Sequence, residues 1–183
     1  MDGAGKSTVA YCLKAMLEAQ GRQVLILSNP NLHSIWGRAE TAYLKVSGKP
    51  AKILSTIFFI ADAVHSIGYK NRRLQQYDDC IFVRYILAVA YLSGSKARKA
   101  YRICNRVFPM PDVMIYVDLP PEQSMARIKA RGGELEAFEN TATLTEVRSR
   151  MRMLTDGWHR VDNSGTMEQT LTQVRSIIAG VRV

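Results

Sequence analysis

A short glycine-bearing turn at the start of the chain constrains its fold more than any other feature. Gly5-Lys6-Ser7, with Gly3 two positions earlier, stands directly before an apolar helical pattern. This order matches the end of G-x-x-x-x-G-K-[ST], a motif whose backbone N–H groups and helix N-terminus surround phosphate oxygens. A capped helix start with unrelated glycines is the alternative. Strand and helix patterns alternate further along the chain, which favours the phosphate-binding loop because such loops join a strand to a helix.

The residue types of this loop suit the binding of a triphosphate. Lys6 is placed to reach the β and γ phosphates, and the hydroxyl of Ser7 is a ligand for Mg²⁺. Gly3 and Gly5 permit the tight turn because neither carries a Cβ that would collide with the anion. The sequence therefore predicts Mg²⁺ as cofactor and a loop that binds the phosphates of a triphosphate, made of Asp2, Gly3, Ala4, Gly5, Lys6, Ser7 and Thr8.

The first part of the motif lies outside the given sequence. The four residues between its two glycines are Met1–Ala4, so the first glycine falls just before Met1, together with the strand that feeds the loop. That strand is central in folds of this kind, and omitting it would leave the hydrogen-bonding edges of two neighbours unpaired. We expect a longer native chain that begins with a short apolar strand.

Length and composition predict one domain over residues 1–183, in which strand patterns alternate with helical patterns. Of the 183 residues, 47% are hydrophobic and 22% charged, which is ordinary for a globular domain. The alternation predicts an α/β fold with a parallel sheet and crossover helices. The predicted strands are Val24–Leu27, Cys80–Val83, Val113–Val117 and Trp158–Val161. The predicted helices are Lys6–Gln20, Ala51–Leu74, Ile86–Ser93, Lys96–Val107, Pro121–Ala130, Thr145–Leu154 and Thr166–Ala179.

A surplus of positive charge indicates which classes of ligand the chain is expected to bind. The chain has 25 Lys and Arg against 16 Asp and Glu, a formal net charge of +9. Nucleic acid, an anionic membrane or a small phosphorylated ligand would each explain it. No nucleic-acid-binding signature accompanies the basic residues, which makes nucleic acid the weaker explanation, and no apolar run reaches the roughly 20 residues of a membrane span. Three distant cysteines, Cys12, Cys80 and Cys104, predict free thiols, and we expect a cytoplasmic protein without a membrane partner.

Several stretches, taken together with the loop, resemble the thymidylate kinase family. Asp2–Thr8 is similar to the phosphate loop of that family, and the similarity continues through nearly the whole chain in matching order and spacing. The other similar stretches are Phe58–Asp62, Ile81–Tyr85, Pro111-Asp112, Tyr116–Glu122, Arg127-Ile128, Arg131-Gly132, Phe138-Glu139 and Val161-Asp162. The phosphate loop and Asp118–Glu122 are the most specific of them.

The resemblance implies transfer of the ATP γ-phosphoryl group to a nucleoside monophosphate, dTMP in the family, yielding dTDP. It also implies a P-loop fold with a five-stranded parallel sheet, whose first strand is absent here, a homodimer, and a mobile lid around residues 131–143. Catalysis of this kind is mostly positioning and charge neutralisation, for which Arg and Lys are suited. The implied catalytic residues are Lys6, Arg84, Arg127 and Arg131, and the implied acceptor pocket contains Phe59, Asp62, Arg84, Tyr85 and Tyr91.

Some of these residues have a second interpretation. Arg127 and Arg131 are four apart on one helix face and would bind ATP together, or they form a solvated helix end. Asn163 contacts adenine, as the family suggests, or only forms a turn. Phe59 stacks on a nucleobase or packs in the core, and Tyr91 has the same two interpretations.

Three departures from the family pattern affect the acceptor side. Val83 stands where the family has an aspartate before Arg84, Ala63 replaces an arginine, and Ser28-Asn29-Pro30 replaces Arg-Glu-Pro. We therefore predict Asp118 as the substitute Mg²⁺ ligand, with a helix N-cap as the other role for its carboxylate. The same departures keep two alternative functions open, namely a phosphotransferase with a different small anionic acceptor and a nucleotide-binding protein without turnover.

Overall fold

A computed structural model of the chain describes residues 1–31, 34–44, 49–92, 94–132 and 139–181. The helices in chain order are α1 (Lys6–Glu18), α2 (Ile35–Leu44), α3 (Lys49–Arg73), α4 (Ser95–Val107), α5 (Pro121–Arg131), α6 (Thr141–Leu154) and α7 (Met167–Val181). The strands are β1 (Val24–Ser28), β2 (Asp79–Val83), β3 (Ile115–Asp118) and β4 (His159–Asp162). Two 3₁₀ segments follow α3 and β2, at Leu74–Gln76 and Ile86–Tyr91. No helix in the described ranges is both long and apolar enough to cross a bilayer.

The four described strands form two parallel pairs. Strand β1 pairs with β2, with Val24 opposite Asp79, and β3 pairs with β4, with Ile115 opposite His159. Each pair is joined by helical connections, as parallel strands require. The predicted α/β order with parallel strands is therefore confirmed, and the ladders divide the strands into two sheets of two.

The chain forms two compact units. The first unit is discontinuous and consists of Met1–Val9 with Ile86–Val183, and the second unit is Ala10–Tyr85. The predicted single domain stays a prediction. Of the predicted lid around residues 131–143, the part from 133 to 138 lies outside the described residues.

The core of the first unit is built from the inner faces of β3, β4, α6 and α7. Helix α6 buries Leu144, Val147, Met151 and Leu154, which fall on one face because they are three or four positions apart. The helix begins four residues before the predicted start. Asn140 is its N-cap and accepts a hydrogen bond from the backbone N–H of Thr143 at 2.9 Å, a capping signal that the apolar pattern alone does not contain.

Helix α2 in the second unit was missing from the sequence prediction. Ser34 precedes it, and the Ser34 hydroxyl accepts a hydrogen bond from the backbone N–H of Gly37 at 2.8 Å, as an N-cap does. The first two residues of α2, Ile35 and Trp36, are apolar but exposed. Helix α3 is continuous through Gly68, because one helical glycine costs only about 1 kcal/mol. The predicted helix Ile86–Ser93 is the shorter 3₁₀ segment.

Candidate active site

The glycine-bearing loop of the first unit adopts the geometry of an anion site. Gly3 and Gly5 have φ angles of +70° and +85°, in the left-handed region that favours glycine. Helix α1 begins directly afterwards at Lys6, and the backbone N–H of Val9 donates to the carbonyl of Gly5 at 3.0 Å. The N-terminus of α1 is therefore placed at the loop, where a helix start favours a phosphate.

The loop is packed too tightly for side chains at its glycines. A Cβ on Gly3 would lie 2.6 Å from the carbonyl oxygen of Ser124 on α5, and a Cβ on Gly5 would lie 2.4 Å from Nδ2 of Asn163. The loop thus rests on the backbone of α5 and on the residue that follows β4. Both glycines are required by close approach as well as by their φ angles.

Replacing Gly3 by alanine tests this packing. Gly21 is a matched control, since its φ angle is +80° and a Cβ there meets nothing within 4 Å. We expect Gly21→Ala to cost about 1 kcal/mol from backbone strain. Gly3→Ala should cost about 1–3 kcal/mol more, because its methyl group meets backbone that cannot rotate away. Urea denaturation measures both values, and equal losses would show that the loop is not packed against α5.

Lys6 and Asp2 form a polar cluster beside the loop. The Nζ of Lys6 donates to the carbonyl oxygen of Met1, and it lies 3.8 Å from Oδ1 of Asp2. The backbone N–H of Asp2 donates to the hydroxyl of Tyr91 at 3.0 Å, and this hydroxyl in turn donates to Oδ2 of Asp2. Tyr91, predicted for the acceptor pocket or the core, therefore contacts a residue of the phosphate loop.

Asn163 connects the loop to β4 and α5. The side-chain Nδ2 of Asn163 donates to the carbonyl oxygen of Ala4 at 2.8 Å. The backbone carbonyl oxygen of Asn163 accepts a hydrogen bond from Nη2 of Arg127 at 2.9 Å. The turn after β4 is formed instead by Asp162, whose Oδ1 accepts from the backbone N–H of Ser164. Asn163 and Arg127 thus lie beside the loop, as an ATP-binding role requires. The contact with adenine stays a prediction.

The two lid arginines have different partners. Arg127 contacts Asn163, whereas Nη2 of Arg131 pairs with Oε1 of Glu139 at 2.7 Å. Glu139 is buried and Arg131 is more than half exposed. The two arginines were predicted to bind ATP together. The contacts in the structure support this role for Arg127, which lies beside the loop, and not for Arg131.

Asp118 has neither of its predicted roles. Its side chain is 1% exposed, and guanidinium groups hold both of its oxygens. The ion-pair distances are 2.7 Å to Arg148, 2.8 Å to Arg152 and 2.5 Å to Arg160. The hydroxyl of Tyr116 donates to Oδ1 as well, at 2.9 Å. A carboxylate so engaged has no lone pair directed at a metal ion, and the N-cap of α5 is Pro120, without a side-chain cap.

The pKa of Asp118 reflects this environment. Burial alone raises the pKa of its carboxyl group, but the hydrogen bonds from Arg148, Arg152 and Tyr116 outweigh burial and hold the pKa well below its ordinary value. Burial and the neighbouring carboxylate raise the pKa of Tyr116, so that its phenol stays a proton donor. Asp118 is therefore an anion at every physiological pH.

Arg84 in the second unit has a strained backbone. It follows β2 directly and has a φ angle of +58°, in the left-handed region that non-glycine residues seldom adopt. Strain of this kind is concentrated at functional sites. Its neighbour Tyr85 is buried and stacks on Phe82, with ring centroids 4.7 Å apart.

The other predicted acceptor residues are in the interior of the second unit. Phe59 is buried, which supports its packing role. Asp62 is fully buried, and its carboxylate accepts hydrogen bonds from the backbone N–H of Asn31 and from the hydroxyl of Ser34. Asp62 thus orders the segment before α2, and its contact with the acceptor stays a prediction.

Comparison with known proteins decides the family. The thymidylate kinase family model matches residues 1–174. The chain belongs to the thymidylate kinase family. A thymidylate kinase of Xanthomonas euvesicatoria is 30% identical, over 97% of this chain and 80% of its own length. A probable thymidylate kinase of Archaeoglobus fulgidus is 28% identical, over 97% of this chain and 91% of its own.

The fold agrees with this membership. The solved structure of a thymidylate kinase from Candida albicans superimposes with a TM-score of 0.74 at 20% identity, and the match covers 98% of this chain and 88% of the other. The predicted resemblance to thymidylate kinases and the P-loop fold are therefore confirmed. As a member of the thymidylate kinase family, the chain is a nucleoside monophosphate kinase.

The site contains residues that sequence reasoning missed. Thr170 is fully buried on α7 and donates to Asn163, and Arg148, Arg152 and Arg160 surround Asp118. The spacing of Arg148 and Arg152 on α6 is visible in the sequence, but the pairing of the three arginines with β3 is not.

Proposed function

We propose that this chain transfers the γ-phosphoryl group of ATP to dTMP. The observation that carries the proposal is the anion-binding loop at the start of α1, with Gly3 and Gly5 at positive φ, in a chain of the thymidylate kinase family. Phosphoryl transfer asks the protein for positioning and for neutralisation of charge. The loop and the basic residues around it supply both.

Lys6 and Arg127 are assigned to ATP. Lys6 is the first residue of α1, so its side chain and the first N–H groups of the helix converge on one anion. Arg127 already lies at the loop through its contact with Asn163. A cation at each side of the triphosphate stabilises the charge that develops on the transferred group. Arg131 would join them when the lid contacts ATP.

Arg84 is assigned to the phosphate of the acceptor. A guanidinium group at the carboxyl end of a parallel strand is at the end where open α/β proteins bind ligands, and it can hold a phosphate with two hydrogen bonds. The positive φ angle of Arg84 supports this assignment, because the surrounding structure maintains a strained backbone there.

We assign the hydroxyl of Ser7 as the protein ligand of Mg²⁺. Mg²⁺ takes most of its oxygen ligands from water and substrate phosphates and needs one or two from the protein. The hydroxyl of Ser7 is exposed in the first turn of α1 and suits this role. Bound there, the ion would neutralise charge on the β and γ phosphates. Within the described ranges no group of three acidic, histidine or cysteine side chains forms a separate metal site.

We also assign a homodimer and a cytoplasmic location. Ile60 and Val64 lie one turn apart on α3, and both are about half exposed. Exposed apolar surface of this kind marks protein interfaces. Sedimentation equilibrium distinguishes the dimer from the 20.5 kDa monomer. ATP and nucleoside monophosphates are both present in the cytoplasm, and cell fractionation checks the location.

An ADP-release assay over a panel of acceptors tests the function. We expect Mg²⁺-dependent turnover with ATP that is fastest on dTMP, compared with dUMP, dCMP, dGMP and dAMP. ADP release without an acceptor serves as the background. Ala63 and Val83, which depart from the family pattern, are on the acceptor side, so the choice of acceptor is the point at which the proposal can fail. Faster turnover on another acceptor, or ATP binding without turnover on any of them, would contradict the proposal.

A further inference from the structure

A buried chain of hydrogen bonds connects α7 to the phosphate loop. Thr170 is 0% exposed and Asn163 is 2% exposed. The hydroxyl of Thr170 donates to Oδ1 of Asn163 at 2.8 Å, and Nδ2 of Asn163 donates to the carbonyl oxygen of Ala4 at 2.8 Å. The hydroxyl has a second acceptor, the carbonyl of Thr166, at the longer distance of 3.2 Å. A hydroxyl group has only one proton to donate, and the shorter distance assigns that proton to Oδ1 of Asn163.

The orientation of the Asn163 amide is determined by both neighbours. Its oxygen faces a hydroxyl donor, and its NH₂ group faces a carbonyl acceptor. If the amide were reversed, its oxygen would lie against the carbonyl oxygen of Ala4 and two acceptors would meet. The backbone of Asn163 is fixed as well, because its N–H donates to the carbonyl of Asp118 at 2.9 Å and its carbonyl accepts from Arg127.

Fixing the carbonyl of Ala4 also fixes the N–H of Gly5. The two groups belong to one planar trans peptide and therefore point in opposite directions. With the carbonyl turned towards Asn163, the N–H of Gly5 is turned away from it. Asn163 also contacts Gly5 closely, since a Cβ on Gly5 would lie 2.4 Å from Nδ2. The peptide between Ala4 and Gly5 is thus held on one side by a single amide.

We infer that Thr170 and Asn163 are positioning residues that aim the Ala4–Gly5 peptide of the phosphate loop at the phosphates of ATP. Thr170 touches no substrate and acts through Asn163. The inference rests on the proposed function for the identity of the nucleotide, and it concerns ATP affinity rather than the acceptor.

Thr170→Val tests the inference, because valine has the shape of threonine but no hydroxyl. We expect the dissociation constant for ATP, measured by calorimetry, to rise about tenfold, since Oδ1 of Asn163 loses its donor and the amide is no longer held. Thr170→Ser keeps the hydroxyl and should retain normal ATP affinity. Thr172→Val is the matched control on the same helix: the hydroxyl of Thr172 donates to the carbonyl of Glu168 at 2.9 Å on the exposed side, and ATP affinity should not change.

The double variant distinguishes a shared role from separate ones. Asn163→Ala should weaken ATP binding, and adding Thr170→Val to it should weaken binding no further, because both residues act through one amide. The KM for dTMP should stay unchanged in Thr170→Val. If Thr170→Val does not fold, Asn163→Ala alone tests the contact with the loop. A lower melting temperature with unchanged ATP affinity would overturn the inference, whereas a wild-type chain that binds no ATP would contradict the proposed function instead.

Discussion

Replacing Lys6 by alanine is expected to lower kcat/KM for ATP by about 10²–10³-fold, the usual loss when one preorganised group that stabilises transition-state charge is removed. The Nζ of Lys6 lies at the loop, near Asp2 and the carbonyl of Met1. No neighbouring backbone N–H can replace a full positive charge at the γ phosphate. Steady-state kinetics with ATP as the varied substrate measures the loss.

Lys14→Ala is the control for this prediction. Lys14 lies two turns further along α1, and its ammonium group is within 2.5 Å of the carboxylate of Glu18. Its removal deletes a positive charge, an exposed ion pair worth at most about 1 kcal/mol and a hydrogen bond to the carbonyl of Val24, while the loop is left intact. We expect near-normal kinetics in Lys14→Ala. Near-normal kinetics in Lys6→Ala would remove the loop from the ATP site and the kinase proposal with it.

Asp118→Asn is expected to give a large loss of stability, about 3 kcal/mol at pH 7. The amide keeps the size of the carboxylate but removes the charge that Arg148, Arg152 and Arg160 all contact, and its NH₂ group faces their donors. This loss of stability is at the low end of the range for a broken buried ion pair, because Arg152 and Arg160 are about half exposed and water compensates part of the loss. Urea denaturation of both proteins gives the difference.

The effect of Asp118→Asn should depend on pH. The pKa of Asp118 is lower in the folded protein than in the unfolded chain, so its stabilising effect is complete at neutral pH and declines as the pH falls below about 4. The two proteins should therefore differ less in stability at pH 3 than at pH 7. Asp79→Asn is the comparison, because Asp79 pairs with Arg22 at a partly exposed site. We expect that change to cost less than about 1 kcal/mol, and equal losses at both sites would contradict the buried network.

The phosphate loop and the positions of the strands along the chain were predictable from the sequence for a physical reason. Both depend on neighbours in the chain: glycines that permit a turn, a helix that starts directly after it, and apolar runs of strand length. The predicted strands Val24–Leu27 and Cys80–Val83 were each one residue shorter than the strands of the structure. All four described strands lie in parallel pairs.

The roles of individual polar residues were less predictable. Asp118 was expected to bind a metal or to cap a helix, because its position at the end of a strand allows both. Its arginine partners are on α6 and β4, 30 to 42 positions later, and nothing local marks them. The partners of Asp62 were hidden for the same reason, since the groups that its carboxylate binds belong to the segment around Asn31 and Ser34.

The discontinuous first unit has a consequence for biosynthesis. Ala4 leaves the ribosome long before Asn163, whose side chain holds its carbonyl, and before Thr170 behind it. The whole segment between them must be made before those side chains are available. Domains are generally assembled from the N-terminus during translation, and here the loop waits for residues that are made much later. The nascent chain therefore acquires its nucleotide-binding turn only after β4 and α7 have been made.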